Sequence, residues 1–221
     1  MLGNDNMKFL DNFDIKFNNA SLLDIALTHS SYSNEHESEN YERLEYLGDA
    51  VLQLVVSEYL YKNTNLPEGV MSKTRASYVC EKALVEYEKK IGYKEYIKVG
   101  HGQIGNVNDT IVADVFEAIL GAIFLDQGFN VAKEYVYKVV IPYIESGYQF
   151  FDDYKTKLQE MVQTEKESVE YKLVNETGPA HNRTFEVDVI IDGITYGHGV
   201  GKSKKEAEQN AAYDAYSKCA K

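Results

Sequence analysis

The sequence predicts an α+β protein: an all-helical domain over residues 1–146, a linker over 147–153, and a small α-β-β-β-α domain over 154–221. Three observations predict it. Up to residue 146, apolar side chains recur at spacings of three and four, as on amphipathic helices. Beyond residue 170 the period becomes two: Phe185, Val187, Val189 and Ile191 alternate with Thr184, Glu186, Asp188 and Ile190. Asp192-Gly193 between two such runs is the chemistry of a tight hairpin turn.

Taken in order, residues 8–30 read as a short helix, a turn at Asn18-Asn19, and a helix through Leu22, Leu23, Ala26 and Leu27. His29 and the residues after it end that helix, and polar residues 33–39 read as a loop. From 41 to 62, positions 44, 47, 51, 54, 55 and 59 keep the helical period until Asn65-Leu66-Pro67-Glu68-Gly69 breaks it. Ser72 is a favourable N-cap for a helix running to Ile91, where Gly92 stops it. The glycine-rich stretch 100–105 follows no convincing strand, so a phosphate-cradling loop and a nucleotide cofactor are not expected. Residues 110–126 form the next helix, and 130–145 a last one carrying Pro142 near its end. In the second domain, a helix over 154–164 presents Leu158, Met161 and Val162 on one side. Strands over 171–175, 183–191 and 194–200 follow. Ser203 then caps a helix to Lys218 with Ala207, Ala211, Ala212 and Ala215 inward.

Composition narrows the function classes. The 221 residues are 44% hydrophobic and 26% charged, with three Pro, which suits folded domains rather than disorder. No run approaches a membrane span, and the N-terminus lacks a secretory signal. Cys80 and Cys219 alone make no disulfide framework. A cytoplasmic protein without membrane attachment is expected. The net charge of −12 by itself argues against nucleic-acid binding. Its distribution is uneven, with a compact basic point at Lys202, Lys204 and Lys205.

The chemistry concentrates in two segments. Glu42, Glu45 and Asp49 stand at i, i+3 and i+7 of one expected helix; Asp114 and Glu117 stand at i and i+3 of another. Large apolar residues flank both rows: Leu44, Leu47, Val51 and Leu52 in one, Val115, Phe116, Ile119 and Leu120 in the other. Acidic pairs three apart usually mark a solvated surface, but carboxylates among so many core residues do not suit an open face. Burying both apolar faces in one core brings the acidic rows together. Such a cluster repels itself without a cation, and hard oxygen donors suit Mg²⁺ or Mn²⁺. Gly48 and Gly121 each cost a helix about 1 kcal/mol relative to Ala, so their presence points to a close approach of backbone to backbone or to ligand.

Residues 42–51, Glu42-Arg43-Leu44-Glu45-Tyr46-Leu47-Gly48-Asp49-Ala50-Val51, closely resemble the signature of the ribonuclease III family. Leu27-Thr28-His29-Ser30-Ser31-Tyr32, Ser72 with Arg75-Ala76, and Ala113-Asp114-Val115-Phe116-Glu117-Ala118 support it, and residues 154–221 resemble a double-stranded-RNA-binding domain. The resemblance spans essentially the whole chain. It implies a homodimeric, divalent-metal-dependent endonuclease that cleaves double-stranded RNA to 5′-phosphate and 3′-hydroxyl ends in rRNA-precursor and mRNA processing. It implies Mg²⁺ as cofactor, with Mn²⁺ substituting. Glu45, Asp49, Asp114 and Glu117 take the metal-ligand positions, Glu117 central to metal binding and Asp49 orienting the nucleophile. Glu42 and Tyr46 take positions near the subunit interface and substrate groove; Tyr46 replaces the family's usual Phe, and the alternative for it is a simple core aromatic. Glu68 aligns with a carboxylate that some members use beside the cleavage site, or is simply a loop acid. Gln103, where the family often has Glu, leaves the 100–109 loop without an assigned role. His29, at a helix end between Thr28 and Ser30, reads better as a hydrogen-bonded structural residue than as an acid or base.

Double-stranded RNA is recognised chiefly by shape across two minor grooves and the phosphates between them. By the domain resemblance, Thr156 and Gln159 reach one minor groove, Pro179 and His181 in the loop after the first strand reach the next, and Lys202, Lys204 and Lys205 hold phosphates at a helix start. Two other classes fit parts of the pattern: a non-catalytic duplex-RNA-binding protein, and a helical phosphohydrolase acting on small nucleotides. The four carboxylates argue against the first; turnover of a small nucleotide comparable to that of duplex RNA would mark the second, in which the C-terminal domain is incidental.

Overall fold

The computed structural model describes residues 8–150, 154–164, 168–179 and 183–219. The chain divides into two compact units, Met1–Phe151 and Asp152–Lys221. In the first, a 3-10 turn at Lys8–Phe13 leads into α1 (Ala20–Ala26), α2 (Ser30–His36), α3 (Glu42–Asn63), α4 (Glu68–Tyr78) and α5 (Glu81–Ile91). Two further 3-10 turns, Lys94–Tyr96 and His101–Gln103, precede α6 (Asp109–Gln127), α7 (Phe129–Val139) and α8 (Ile141–Glu145).

Four boundaries differ from the sequence expectation, each for a physical reason. Residues 33–36 are not loop but the end of α2, which is held by polar contacts and carries no apolar stripe to read. The His29 ring caps it by accepting the Ser31 N–H at 3.1 Å. Ser31 Oγ and the Glu35 carboxylate accept the N–H groups of Gly100 and His101 from the facing loop. Ser72 does not open a helix; it lies one turn inside α4 and donates its hydroxyl to Glu68. The expected single helix to Ile91 breaks at Val79-Cys80 without Gly or Pro. There the buried Tyr87 hydroxyl donates to the Tyr78 carbonyl at 2.9 Å, satisfying a group that the end of α4 orphans. The last expected helix is likewise two, α7 and α8, because Pro142 cannot donate to the preceding turn.

Helix α6 organises the first unit. Val112, Val115, Phe116, Ala118, Ile119, Leu120, Ala122 and Ile123 are completely buried, so the helix is apolar on nearly every side and runs through the core. Its most extensive neighbour is α3, which contributes Leu52, Val55 and Val56. Every helical residue that positions the acidic rows is therefore fixed by core packing rather than by loop conformation.

In the second unit, α9 (Tyr154–Thr164) precedes an antiparallel sheet of order β1 (Val169–Thr177), β2 (Thr184–Ile191), β3 (Ile194–Gly201), and α10 (Lys204–Cys219) closes it. Asp192 and Gly193, at φ 46° and 81°, make the expected hairpin turn. Leu158 and Val162 of α9, Val187, Val189 and Ile191 of β2, and the four predicted alanines of α10 form the core. Gly197, Gly199 and Gly201 of β3 lie directly under α10, where a Cβ on any of them would overlap the helix at Ala207, Ala211 or Ala215. That approach lets α10 finish the sheet edge. Lys202 N–H donates to Glu206, Asn210 donates to the Val200 carbonyl, His198 N–H donates to Asp214, and Lys218 donates to the Tyr196 carbonyl. Four helical residues rise about 6 Å and two strand residues about 6.6 Å, so the two ladders stay in step. The edge strand is thereby closed to pairing with another chain.

Among the described residues, no helix is long and apolar enough to cross a membrane.

Candidate active site

Helices α3 and α6 cross at two glycines. A Cβ on Gly48 would overlap the Glu117 carbonyl, and one on Gly121 would overlap the Leu44 carbonyl. Backbone meets backbone there, which side chains on either helix would forbid. Asp49 follows Gly48 directly, Glu45 lies one turn before it, and Glu117 and Asp114 lie one and two turns before Gly121. The glycine contact thus brings together the acidic rows that the sequence placed on separate helices.

The four carboxylates sense one another. Burial, followed by Asp49, Glu45 and Asp114, pushes Glu117 from an ordinary 4.5 up to about 8. Glu45 is raised by burial, then by Asp114, Glu42 and Asp49. Asp114 is raised chiefly by burial, which the Tyr41 hydrogen bond opposes. Among the described residues, no three or more His, Cys, Asp or Glu side chains close tightly enough to hold one ion. The four acids are coupled through space without meeting at a point, as mutual repulsion among like charges requires.

Two further residues touch these acids, and sequence reasoning missed both. The buried Tyr41 hydroxyl donates to Asp114 Oδ2 at 3.0 Å, and burial, then Asp114, pushes this phenol far above its ordinary value, so it remains a donor. The Gln53 amide donates to both oxygens of Asp49, at 2.9 and 3.1 Å. The i, i+4 spacing of Asp49 and Gln53 was a readable signal. The contact from Tyr41 to Asp114 spans 73 residues of sequence and gave none. His29 is a hydrogen-bonded structural residue, as expected, but its task is to cap α2, a helix the sequence did not predict; its ring centroid lies 5.7 Å from that of Tyr41.

The remaining expected site residues divide. Glu42 is exposed at the first turn of α3 and adds its charge to the field that raises Glu45. Tyr46 is 82% exposed, which excludes the alternative of a core aromatic, and Leu54 and Tyr61 of the same helix are 57% and 77% exposed. At helical pitch the three lie within about 80° of arc, on one face of the helix. Glu68 opens α4 instead of lying in a loop, and lines a cleft between α3 and α4 with Ser57, Tyr61, Met71 and Arg75. None of the four coupled acids lines that cleft. Arg75 ties the two helices by donating to Ser57 at 2.9 Å.

In the second unit, Thr156 and Gln159 are exposed on α9 three residues apart, on the side away from the buried Leu158 and Val162. Lys202, Lys204 and Lys205 are exposed where α10 begins, and Ser203 Oγ accepts the Glu206 N–H to cap that helix. Pro179 is exposed after β1; His181 lies outside the described residues.

Comparison with known proteins adds the following. The family described as ribonuclease-III-like matches residues 19–144, and the double-stranded RNA binding motif matches residues 154–219. Ribonuclease 3 of Streptococcus sanguinis is 47% identical over 97% of both chains. Ribonuclease 3 of Streptococcus gordonii is 46% identical over 97% of this chain and 96% of its own. A solved nuclease domain of ribonuclease III from Campylobacter jejuni is 37% identical with a TM-score of 0.57, covering 61% of this chain and 95% of that one. It is described as flexible in a region involved in dimer formation.

Proposed function

This chain belongs to the ribonuclease III family and is an endoribonuclease, and from that premise we propose that it hydrolyses double-stranded RNA as a homodimer, with divalent metal held by Glu45, Asp49, Asp114 and Glu117. One observation carries the reading. Four carboxylates on two core helices are brought within reach of one another's charge by the Gly48–Gly121 contact, with Glu117 pushed up to about 8. A fold that tolerates this repulsion has placed the acids for a cation. The donor set is all carboxylate oxygen, which suits Mg²⁺, with Mn²⁺ as a substitute.

When bound, divalent metal supplies an activated water and neutralises charge on the attacking and leaving oxygens of an in-line displacement. The chain's own part is placement. Glu117 and Asp114 approach from α6, Glu45 and Asp49 from α3. Asp49 orients the attacking water, and Gln53 orients Asp49. Attack of water on phosphorus with departure of the 3′-oxygen breaks the P–O3′ bond, so the downstream fragment keeps the phosphate on its 5′ end and the upstream fragment ends in a 3′-hydroxyl. Thr156, Gln159, Pro179 and His181 engage minor grooves, and Lys202, Lys204 and Lys205 hold phosphates between them. Precursor ribosomal RNA and structured messages are the natural duplex substrates.

A uniform RNA duplex incubated with the chain and Mg²⁺ is expected to yield short duplexes with 5′-phosphate ends, and excess EDTA is expected to stop cutting while gel-shift binding persists. Cutting that survives EDTA, or binding with no cutting in Mg²⁺ or Mn²⁺, would reject the metal-dependent reading.

The Tyr46–Leu54–Tyr61 stripe is the dimer face of this proposal, since a water-exposed apolar stripe of this length needs a partner. Tyr46→Asp together with Leu54→Asp is expected to give a monomer in analytical ultracentrifugation and to lower duplex cleavage by more than about 10-fold. A double variant that remains dimeric would place the interface elsewhere.

A further inference from the structure

We propose that Tyr41 is a positioning residue that sets the direction of the Asp114 carboxylate for divalent-metal binding; this rests on the metal-holding reading above. Tyr41 is anchored at every polar atom of its backbone. Its N–H donates to the Thr28 carbonyl at 2.9 Å, and its own carbonyl accepts the N–H groups of Leu44 at 2.8 Å and Glu45 at 2.9 Å. Those last two bonds start the turn of α3 that carries Glu45. The ring is 3% exposed and packs beside His29. From this fixed base the hydroxyl crosses to α6 and donates to Asp114 Oδ2 at 3.0 Å. A phenol has one proton to donate, so Asp114 Oδ1 is left for another partner. One residue therefore fixes the backbone beneath an acid of α3 and the rotamer of an acid of α6.

The geometry differs from that at Asp49, where Gln53 occupies both oxygens from the same helix. At Asp49 any cation would share each oxygen with the Gln53 amide, whereas Tyr41 engages only Oδ2 of Asp114. Partners that orient a ligating carboxylate in this way typically contribute 10- to 100-fold in metal affinity.

The test is Mn²⁺ titration of the full chain without RNA, read by electron paramagnetic resonance, for wild type and Tyr41→Phe. The substitution removes one atom and keeps the ring packing, and thermal melting in EDTA reads whether the fold is kept. Mn²⁺ binding is expected to weaken about 10-fold. The Mg²⁺ concentration for half-maximal cleavage is expected to rise by the same factor, with kcat at saturating Mg²⁺ within about threefold of wild type. In an Asp114→Asn background, Tyr41→Phe is expected to cause no further loss of Mn²⁺ binding, because Tyr41 acts through Asp114. Equal Mn²⁺ affinity in folded wild type and Tyr41→Phe overturns the assignment, as does an undiminished Tyr41→Phe effect in the Asp114→Asn background. A wild-type chain that takes up no Mn²⁺ sinks instead the metal-holding reading itself.

Discussion

Glu117→Gln is expected to lower duplex cleavage by at least about 10³-fold and, in the same protein, to raise metal-free stability at pH 8. The two effects share one cause. Glu117 sits on the most buried helix of the chain beside three other acids, and both burial and those neighbours oppose its charge. In the folded chain the carboxyl keeps its proton to about pH 8, whereas the unfolded chain releases it near 4.5. Between those values the folded state binds more protons than the unfolded state, so stability falls as pH rises through the window. Gln carries no charge and escapes that loss. Chemical denaturation in EDTA should show wild type and Glu117→Gln nearly equal at pH 4.5, with the variant pulling ahead as pH increases. At pH 8 the gain is expected on the order of 1–3 kcal/mol, or several degrees in Tm. Mn²⁺ should raise the Tm of wild type more than that of the variant. A variant no more stable than wild type at pH 8 would mean that the cluster is not strained by its own charge.

That coupling of strain to function bears on what could be read from the sequence. The two acidic helices were legible because carboxylates at helical spacing were interrupted by Leu, Val, Phe and Ile rather than by polar residues. Gly48 and Gly121 were legible as close contacts because a helix carries glycine at a cost. The alternation along β2, the Asp192-Gly193 turn and the alanine face of α10 were equally plain, since period and turn chemistry are local. What escaped notice was tertiary. Helix α2 has no apolar stripe; His29 caps it locally, and its loop contacts come from Ser31 and Glu35, whose partners lie dozens of residues away. The break between α4 and α5 depends on a carbonyl met by Tyr87. Tyr41 looked like any aromatic before a helix until Asp114 was placed against it. The ladder from α10 onto β3 was hidden for another reason. Glu206, Asn210, Asp214 and Lys218 differ in chemistry, and only the alternation of donor and acceptor along an edge strand gives them a common task.

Gly48→Ala is expected to destabilise the chain by about 2 kcal/mol or more, against the direction that helix propensity predicts. Propensity alone favours Ala over Gly in a helix interior by about 1 kcal/mol. The opposing term is steric: the new methyl would meet the backbone carbonyl of Glu117, which has no rotamer to change. Overpacking of this kind costs about 1–3 kcal/mol even where side chains can adjust, and here an entire helix must move. Gly69 supplies the control, because it lies in α4 with no atom within 4 Å of its would-be Cβ. Gly69→Ala should leave Tm unchanged or slightly higher, while Gly48→Ala lowers it by roughly 5–10 °C. The consequence extends to the site. Whatever separates α3 from α6 also separates Glu45 and Asp49 from Asp114 and Glu117, which relieves the repulsion among them. Well below its Tm, folded Gly48→Ala should therefore bind Mn²⁺ more weakly than wild type and show a flatter dependence of stability on pH between 4.5 and 8. A Gly48→Ala chain that matches wild type in both Tm and Mn²⁺ affinity would show that this helix crossing does not set the spacing of the acids.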